Sequence, residues 1–356
     1  MKKNQMLFKL MWTVGFILTG LFLSACGLQL KSTPLFSNSS EDKTDESNDE
    51  KSKLLTLACW NAQTFFDAVT DGCEYTDFKN SSKWTKEKYV KRLDKLCEIM
   101  TLLNADVTVL EEIENEAVVQ DIANRLTDGA WNKKKGWQYA CFAKERDGAI
   151  GCAVFSRYEL KNLSVHTLDI QVHETKQPAA RPIMQLTVSV GEKELVLFVN
   201  HWKSKSGGQE ETEIWRDWQE ALLAERLSDF ITNNRSLVVC GDFNRSAEDF
   251  VPVEENYCLE GNVNLLLRRA NGEVTKLYSP WFNDDGKFST EIGSYYYDES
   301  WERIDNFFFS GKIEINQFQP VAESPLADEA SIPQGYKQYT DSGCSDHLPL
   351  KCIISI

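Results

Sequence analysis

Leu237-Val238-Val239-Cys240-Gly241-Asp242-Phe243-Asn244 is a run of β-forming residues that stops in a glycine, a carboxylate and a carboxamide. Short, continuous Val/Leu-rich runs read as buried strands, and layered α/β proteins gather their ligands at strand ends. Asp242 and Asn244 are two apart, so they point to the same side if strand geometry persists. An ordinary strand exit with a turn-forming Asp reads equally well from this stretch alone. The rest of the chain has to decide.

Upstream, a long helix runs from about Glu210 to Ile231, with Ile214, Trp218, Leu222 and Leu227 as its expected buried side. Before it, the buried strand Leu195–Val199 ends in Asn200-His201-Trp202-Lys203. His201 is one of only four histidines, and it stands at a core-strand end near Lys203 and Lys205. That placement favours acid–base or phosphate chemistry over a core histidine. Two stretches of antiparallel type, Ile150–Phe155 and Ile183–Val190, come earlier, with Arg181 just before the second. Arg181 reads as a phosphate clamp or as a surface arginine.

Nearer the start, Leu54–Cys59 runs as a strand into Trp60-Asn61. A helix from Trp84 to Leu103 follows, with Tyr89, Leu93, Leu96, Cys97, Met100 and Leu103 at three- and four-residue spacing and Ser82 as a candidate cap. Val107–Leu110 is a buried strand that exits into Glu111-Glu112-Ile113-Glu114. Carboxylates there carry a desolvation cost that a metal ion can offset. A second helix spans about Glu116 to Leu126. Downstream, Arg303-Ile304-Asp305 starts a Phe-rich strand, and Ser345-Asp346-His347 precedes the last one. Trp281, Tyr295, Tyr296, Tyr297 and Trp301 are available to line a groove or to pack inside.

The N-terminus is organised differently. Lys2, Lys3 and Lys9 precede or enter an apolar stretch, Leu10 to Leu23, that closes on Leu23-Ser24-Ala25-Cys26. A basic region, a short apolar region and small residues describe a secretory leader over 1–25. Cys26 stands where a bacterial lipobox carries its lipidated cysteine, with an uncleaved anchor as the other reading. Residues 26–53, polar from Ser37 to Lys53, read as a linker that forms no core. The body is then 54–356. A lipidated Cys26 implies an exported bacterial lipoprotein, anchored at the cell or outer membrane, with its body in the periplasm or outside the cell.

A formal charge of −15 argues against a polybasic nucleic-acid binder. It does not exclude a nucleic-acid enzyme, because a divalent cation can carry the local positive charge. Of ten cysteines, nine remain beside Cys26, so at least one is unpaired. Cys73, Cys258 and Cys344 lie in loop-like contexts and are the better disulfide candidates; Cys59, Cys97, Cys152, Cys240 and Cys352 read as core residues.

Six strand ends therefore carry Asn61, Glu112, His201, Asp242/Asn244, Asp305 and Asp346/His347. Hard carboxylate and carboxamide oxygens with histidine and no thiolate suit Mg2+ or Mn2+ and phosphodiester hydrolysis. The ordered set Trp60-Asn61, Leu110-Glu111-Glu112, Asn200-His201-Trp202, Gly241-Asp242-Phe243-Asn244, Arg303-Ile304-Asp305 and Ser345-Asp346-His347 resembles the endonuclease/exonuclease/phosphatase superfamily over residues 54 to 356. Its members include pancreatic-type deoxyribonuclease and neutral sphingomyelinases.

The resemblance implies a four-layer α/β sandwich of two mostly antiparallel sheets flanked by helices, with the site at the top of the sheets. It makes Glu112 the main Mg2+ ligand, with Asn61 and Asp346. Asp242 would align or deprotonate the attacking water, helped by Asn244. His347, polarised by Asp305, would stabilise the phosphate, His201 would neutralise or protonate the leaving oxygen, and Arg181 would touch a phosphate oxygen. Gln63 and Glu111 depart from the family pattern, where some members carry Asp and Gln. The stretch Asn200–Gly208 resembles exported bacterial nucleases, which implies a DNA or RNA substrate. A sphingomyelinase-type phospholipid phosphodiesterase or a non-catalytic surface-binding lipoprotein are the alternatives. No obligate protein partner is evident.

Overall fold

The computed structural model describes residues 33–34, 52–79, 83–127, 136–172, 175–252 and 264–356. The leader, Cys26, the linker apart from 33–34 and 52–53, Ser82, His173 and Cys258 lie outside the described residues. Two large sheets and three helices form the body. Their strands are β1 (Thr33–Pro34), β2 (Leu54–Phe65), β3 (Val107–Ile113), β4 (Tyr139–Ala143), β5 (Gly151–Ser156), β6 (Glu159–His166), β7 (Ile183–Val190), β8 (Lys193–His201), β9 (Leu237–Asp242), β10 (Asp305–Ser310), β11 (Glu314–Pro320) and β12 (Leu350–Ser355). The helices are α1 (Lys86–Leu103), α2 (Glu116–Thr127) and α3 (Gln209–Thr232).

The first sheet runs β1-β4-β5-β3-β2-β12-β11 and the second β10-β9-β8-β7-β6. Each contains one parallel pair, β2 with β3 and β8 with β9. Parallel neighbours need a crossover, and α1 and α3 supply it. The other pairs in the two sheets are antiparallel.

Period-two alternation builds the layers. Leu55, Leu57 and Cys59 of β2 join Val109, Leu186, Leu197, Val238 and Phe307 in a core between the sheets. The opposite parity, Ala58, Trp60 and Ala62, packs under α1 and α2 with Leu96, Met100 and Ile122. Phe198, Val239 and Phe308 face Leu223 and Leu227 of α3. The result is the helix–sheet–sheet–helix sandwich.

Two expectations need correction. The buried side of α3 is Thr212, Trp215, Arg216, Gln219, Glu220, Ala221, Leu223, Ala224 and Leu227, so Ile214, Trp218 and Leu222 sit at its border. Polar residues occupy that side because partners from outside the helix meet them there. Arg216 donates to the Lys203 and Gln209 carbonyls at 3.0 and 2.9 Å. Glu220 accepts from Arg245 Nη1 at 2.5 Å. An apolar-periodicity argument cannot see such a stripe. Cys73 and Cys344 also form no disulfide; all cysteines among the described residues are free. The Cys344 thiol is buried and donates to the Pro325 carbonyl at 3.2 Å. At the start of α1 the cap is Thr85, whose hydroxyl accepts from Lys88 N.

Gly241 is fixed by contact. Its φ is +136°, and a Cβ there would lie 1.8 Å from the Asn200 carbonyl oxygen on β8. Gly241→Ala is expected to lower stability by on the order of 3 kcal/mol, read as a drop in thermal midpoint and in soluble yield. A midpoint within a degree of the parent would contradict this packing.

Candidate active site

The second sheet sets the first part of the site by register alone. His201 pairs with Asp242 across β8 and β9, and Asp242 pairs with Asp305 across β9 and β10. Three candidate residues thus occupy one rung. All three share the parity of Val199, Cys240 and Phe307, which fill the core between the sheets. The site is that core carried one rung further with polar side chains.

The first sheet meets it from the other side. Asn61 Nδ2 donates to Asp242 Oδ2 at 3.0 Å and lies 3.4 Å from Glu112 Oε1. Glu112 has the parity of Leu110, whose side chain lies under the helices. An irregularity in the β3–β5 register falls at Glu112, whose φ is +63°. Such a bulge re-aims a side chain, and here it brings Glu112 to the cleft. There the carboxylate accepts from Thr64 N. His201 Nε2 stands 3.7 Å from Glu112 Oε1 and 3.6 Å from Asp242 Oδ2.

Thr64 and Gln63 both have positive φ, 45° and 50°. That turn is held from below by Arg92 of α1, which donates to the carbonyls of Ala62 (3.0 Å), Thr64 (2.9 Å) and Gln63. Arg92 was missed in the sequence, although it stands three residues after Tyr89 on the buried stripe of α1. Gln63 turns away from the cleft, its Oε1 accepting from Tyr336 N at 2.6 Å. Glu111 lies fully buried and accepts from the Cys59 thiol at 3.0 Å. Burial pushes its carboxyl well above the usual range.

His347 completes the constellation. Its Nδ1 is 2.8 Å from Asp305 Oδ2. Trp60 Nε1 donates to the His347 carbonyl at 3.0 Å, and the Ser345 hydroxyl donates to the Asn61 carbonyl at 2.6 Å while accepting from His347 N at 3.1 Å. Burial opposes a charge on His347, yet Asp305, Asp346 and Asp242 outweigh it and hold the imidazole well above its usual range. His201 goes the other way: burial, with the charges of Arg181 and His347, holds it well below. Burial and the neighbouring Asp305 push the Asp242 carboxyl up to about 7, against the pull of His347.

Other expected residues are arranged around this centre. The strand ends at Asp242, and Asn244 has φ +49°, so the alternation argument does not carry the pair. Instead Asp242 Oδ1 accepts from Asn244 N at 2.8 Å, and Asn244 Nδ2 donates to the Trp202 carbonyl at 3.2 Å. Arg181 Nη1 donates to that same carbonyl at 3.1 Å. The hydroxyl of Tyr75, unnoticed in the sequence, meets Arg181 and feels the Glu112 charge. Asp346 is half-buried and close enough to act on His347 and Tyr295; among the described residues it has no hydrogen-bond partner. Of the aromatics, Trp281 is core, its Nε1 donating to the Asp305 carbonyl at 3.0 Å. The Tyr295 ring lies 4.8 Å from that of His347, and Tyr297 stacks on Tyr295 at 6.3 Å.

The donor set fits a hard divalent cation. Glu112 Oε1 faces Asp242 Oδ2 across Asn61 Nδ2, and Asp305 Oδ1 is buried without a hydrogen-bond partner. Ligand atoms of Asp242, Asp305 and His347 lie within 4.8 Å of one another.

A profile of the Endonuclease/Exonuclease/phosphatase family matches residues 56–351. No curated protein matches the sequence. Solved structures share the fold. The human Nocturnin catalytic domain with bound sulfate anion is 19% identical, with 85% of this chain and 94% of that one covered and a TM-score of 0.52. An endonuclease/exonuclease/phosphatase family protein from Bacteroides thetaiotaomicron is 14% identical, covering 86% and 99% at 0.52. D. rerio TDP2 complexed with single strand DNA product is 17% identical, covering 85% and 99% at 0.51.

A raised carboxyl pKa means that the folded chain binds this proton more tightly than the unfolded chain does. Stability therefore falls as pH rises from about 4, the unfolded carboxylate range, toward about 7. In chelator-treated protein, Asp242→Asn is expected to melt above the parent at pH 8, with the gap closing near pH 4. Added Mg2+ should raise the melting point of the parent more than that of the variant. A variant that melts lower at pH 8 would contradict the assignment.

Proposed function

The chain belongs to the endonuclease/exonuclease/phosphatase family and is a metal-dependent phosphodiester hydrolase; from that premise we propose that it is a nuclease cutting DNA or RNA. The observation that carries the substrate class is the tyrosine pair beside His347. Tyr297 is 63% exposed and stacked on Tyr295, a platform of the kind on which bases of single strands stack. In the aromatic stretch from Trp281 to Trp301, Trp281 and Phe282 are buried, and the exposed large hydrophobics among the described residues are scattered, as at Val69, Leu102, Phe288 and Tyr339. That supports a nucleic acid over a lipid headgroup presented by a bilayer. D. rerio TDP2, of the same fold, was solved with a single-strand DNA product.

Glu112, Asn61 and Asp346 would hold Mg2+, with Mn2+ an alternative; bound there, the ion polarises the phosphoryl group and supplies positive charge. Asp242 takes the proton of the in-line water, its raised pKa matching a base that works near neutrality. Asn61 Nδ2 and Asn244 N fix the carboxylate, and Asn244 Oδ1 accepts a hydrogen bond from the same water. His347, charged and committed through Nδ1 to Asp305, donates from Nε2 where phosphate charge grows. His201, kept neutral, hydrogen-bonds the leaving oxygen. Arg181, anchored at the Trp202 carbonyl, presents the rest of its guanidinium to a phosphate oxygen.

A lipid on Cys26, followed by the polar linker over 26–53, would tether the body 54–356 to a membrane in the periplasm or outside the cell, where external nucleic acid is available. Mass spectrometry of the membrane fraction reads this directly: a diacylated Cys26 at the new N-terminus is expected, and an intact Met1 start would refute it.

The full chain with Mg2+ is expected to hydrolyse DNA or RNA and to stop on chelation. Turnover of sphingomyelin alone would assign the phospholipid reaction, and no turnover of any phosphodiester would leave a binding lipoprotein. Asp242→Asn and His347→Ala should each lower kcat by about 10^3. Tyr297→Ala should raise KM for single-stranded substrate roughly tenfold at similar kcat; an unchanged KM would remove the stacking argument.

A further inference from the structure

Beyond the catalytic cleft, residues 67–79 leave β2 and fold back on the end of β3. Asp71 and Glu74 of this loop converge with Glu114: one carboxylate oxygen of each lies within 4.8 Å of the others. Glu114 is 1% exposed and Glu74 4%. Backbone amides set their positions. Glu114 Oε2 accepts from Asp67 N at 2.5 Å. Glu74 accepts from the amides of Asp71 and Gly72, and Asp71 Oδ1 from that of Cys73.

These bonds leave one oxygen over. Glu114 Oε1 is buried and has no hydrogen-bond partner. Among the described residues, none of the three carboxylates has a Lys, Arg or His ion-pair partner. Three acids, two of them buried, thus face one another with an unmatched buried oxygen among them. A cation is the group that such an arrangement takes.

We propose that Asp71, Glu74 and Glu114 form a second divalent-cation site, of the calcium class, separate from the Glu112–Asp242 cleft. Three carboxylates on a loop and a strand end offer hard oxygens alone, the ligand class that Ca2+ takes in six- to eight-fold shells. Ca2+ also accepts irregular geometry from a loop, and the exposed side at Asp71 admits water to complete the shell. The ion ties the loop to β3. That loop carries Tyr75, which meets Arg181 at the rim of the cleft, and Phe78, stacked on Phe66 at 4.6 Å and edge-on to Trp84 at 5.2 Å. The second ion therefore braces the wall of the active site without touching substrate.

Calorimetric Ca2+ titration and Ca2+-dependent melting of the full chain test this in the parent, Glu74→Gln, Asp71→Asn and Glu112→Gln. The parent and Glu112→Gln are expected to bind Ca2+ and to melt higher with it. Glu74→Gln and Asp71→Asn should lose at least tenfold in affinity and lose the Ca2+-dependent rise. Asp71 is exposed, so its variant keeps the fold, read by circular dichroism without Ca2+. Parent-like Ca2+ binding in both loop variants would overturn the site, as would a parent that binds no Ca2+. So would stabilisation that disappears only in Glu112→Gln, which places the ion in the cleft. None of these results bears on hydrolysis at Glu112.

Discussion

One hydrogen bond closes the gap between the sheets: Asn61 Nδ2 to Asp242 Oδ2, 3.0 Å, both residues 2% exposed. It stands where the apolar core between the sheets ends and a polar rung begins. A buried carboxylate must find donors, because leaving it unmet costs several kcal/mol. Asp242 finds one on the opposite sheet and one in the Asn244 amide. The sheets are thereby pinned at the distance at which Glu112, His201 and the Asp305–His347 pair also meet. Even so, charge is not balanced. With His201 neutral, His347 is the charged imidazole beside Asp242 and Asp305, and the guanidinium groups of Arg181 and Arg92 stand farther out. Two carboxylates 4 to 5 Å apart repel by about 3 to 4 kcal/mol at an effective dielectric of 20. The folded chain therefore holds an acidic cleft that is incomplete in charge, and a divalent ion is what completes it.

Much of this was legible because the site is made of strand ends. A strand that stops in a polar residue announces itself, and six of them in order carried the family resemblance that implied the sandwich and the roles of the candidate residues. The helix bounds also followed from periodicity: Trp84–Leu103 against the observed Lys86–Leu103, and Glu210–Ile231 against Gln209–Thr232. What escaped was whatever depends on partners far away in the chain. Arg92 is a buried arginine whose use lies in three carbonyls about thirty residues earlier. The buried side of α3 is polar because Arg245 and the Lys203 carbonyl come to meet it. The sharing of one rung by His201, Asp242 and Asp305 required knowing which strands are neighbours. No local pattern contains that.

The exit of β3 is the sharpest case. Glu111, Glu112 and Glu114 stand in the sequence as one run of carboxylates at a strand exit, from which the family resemblance picks out Glu112. The fold gives each a different surrounding. Glu111 continues the parity of Val109 into the core between the sheets and meets a thiol, where burial favours its neutral form. Glu112 belongs by parity to the helix-covered side and reaches the cleft only through its left-handed backbone. Glu114 lies beyond the bulge and meets the amide of Asp67 and the acids of the following loop. A regular strand would have sent Glu112 under α1 and left the cleft without it. The left-handed residue at 112, a strain of about 1 to 3 kcal/mol, is the local cost of placing a carboxylate where the cation is needed. Arg92 and Thr64, which hold the facing turn, keep it there.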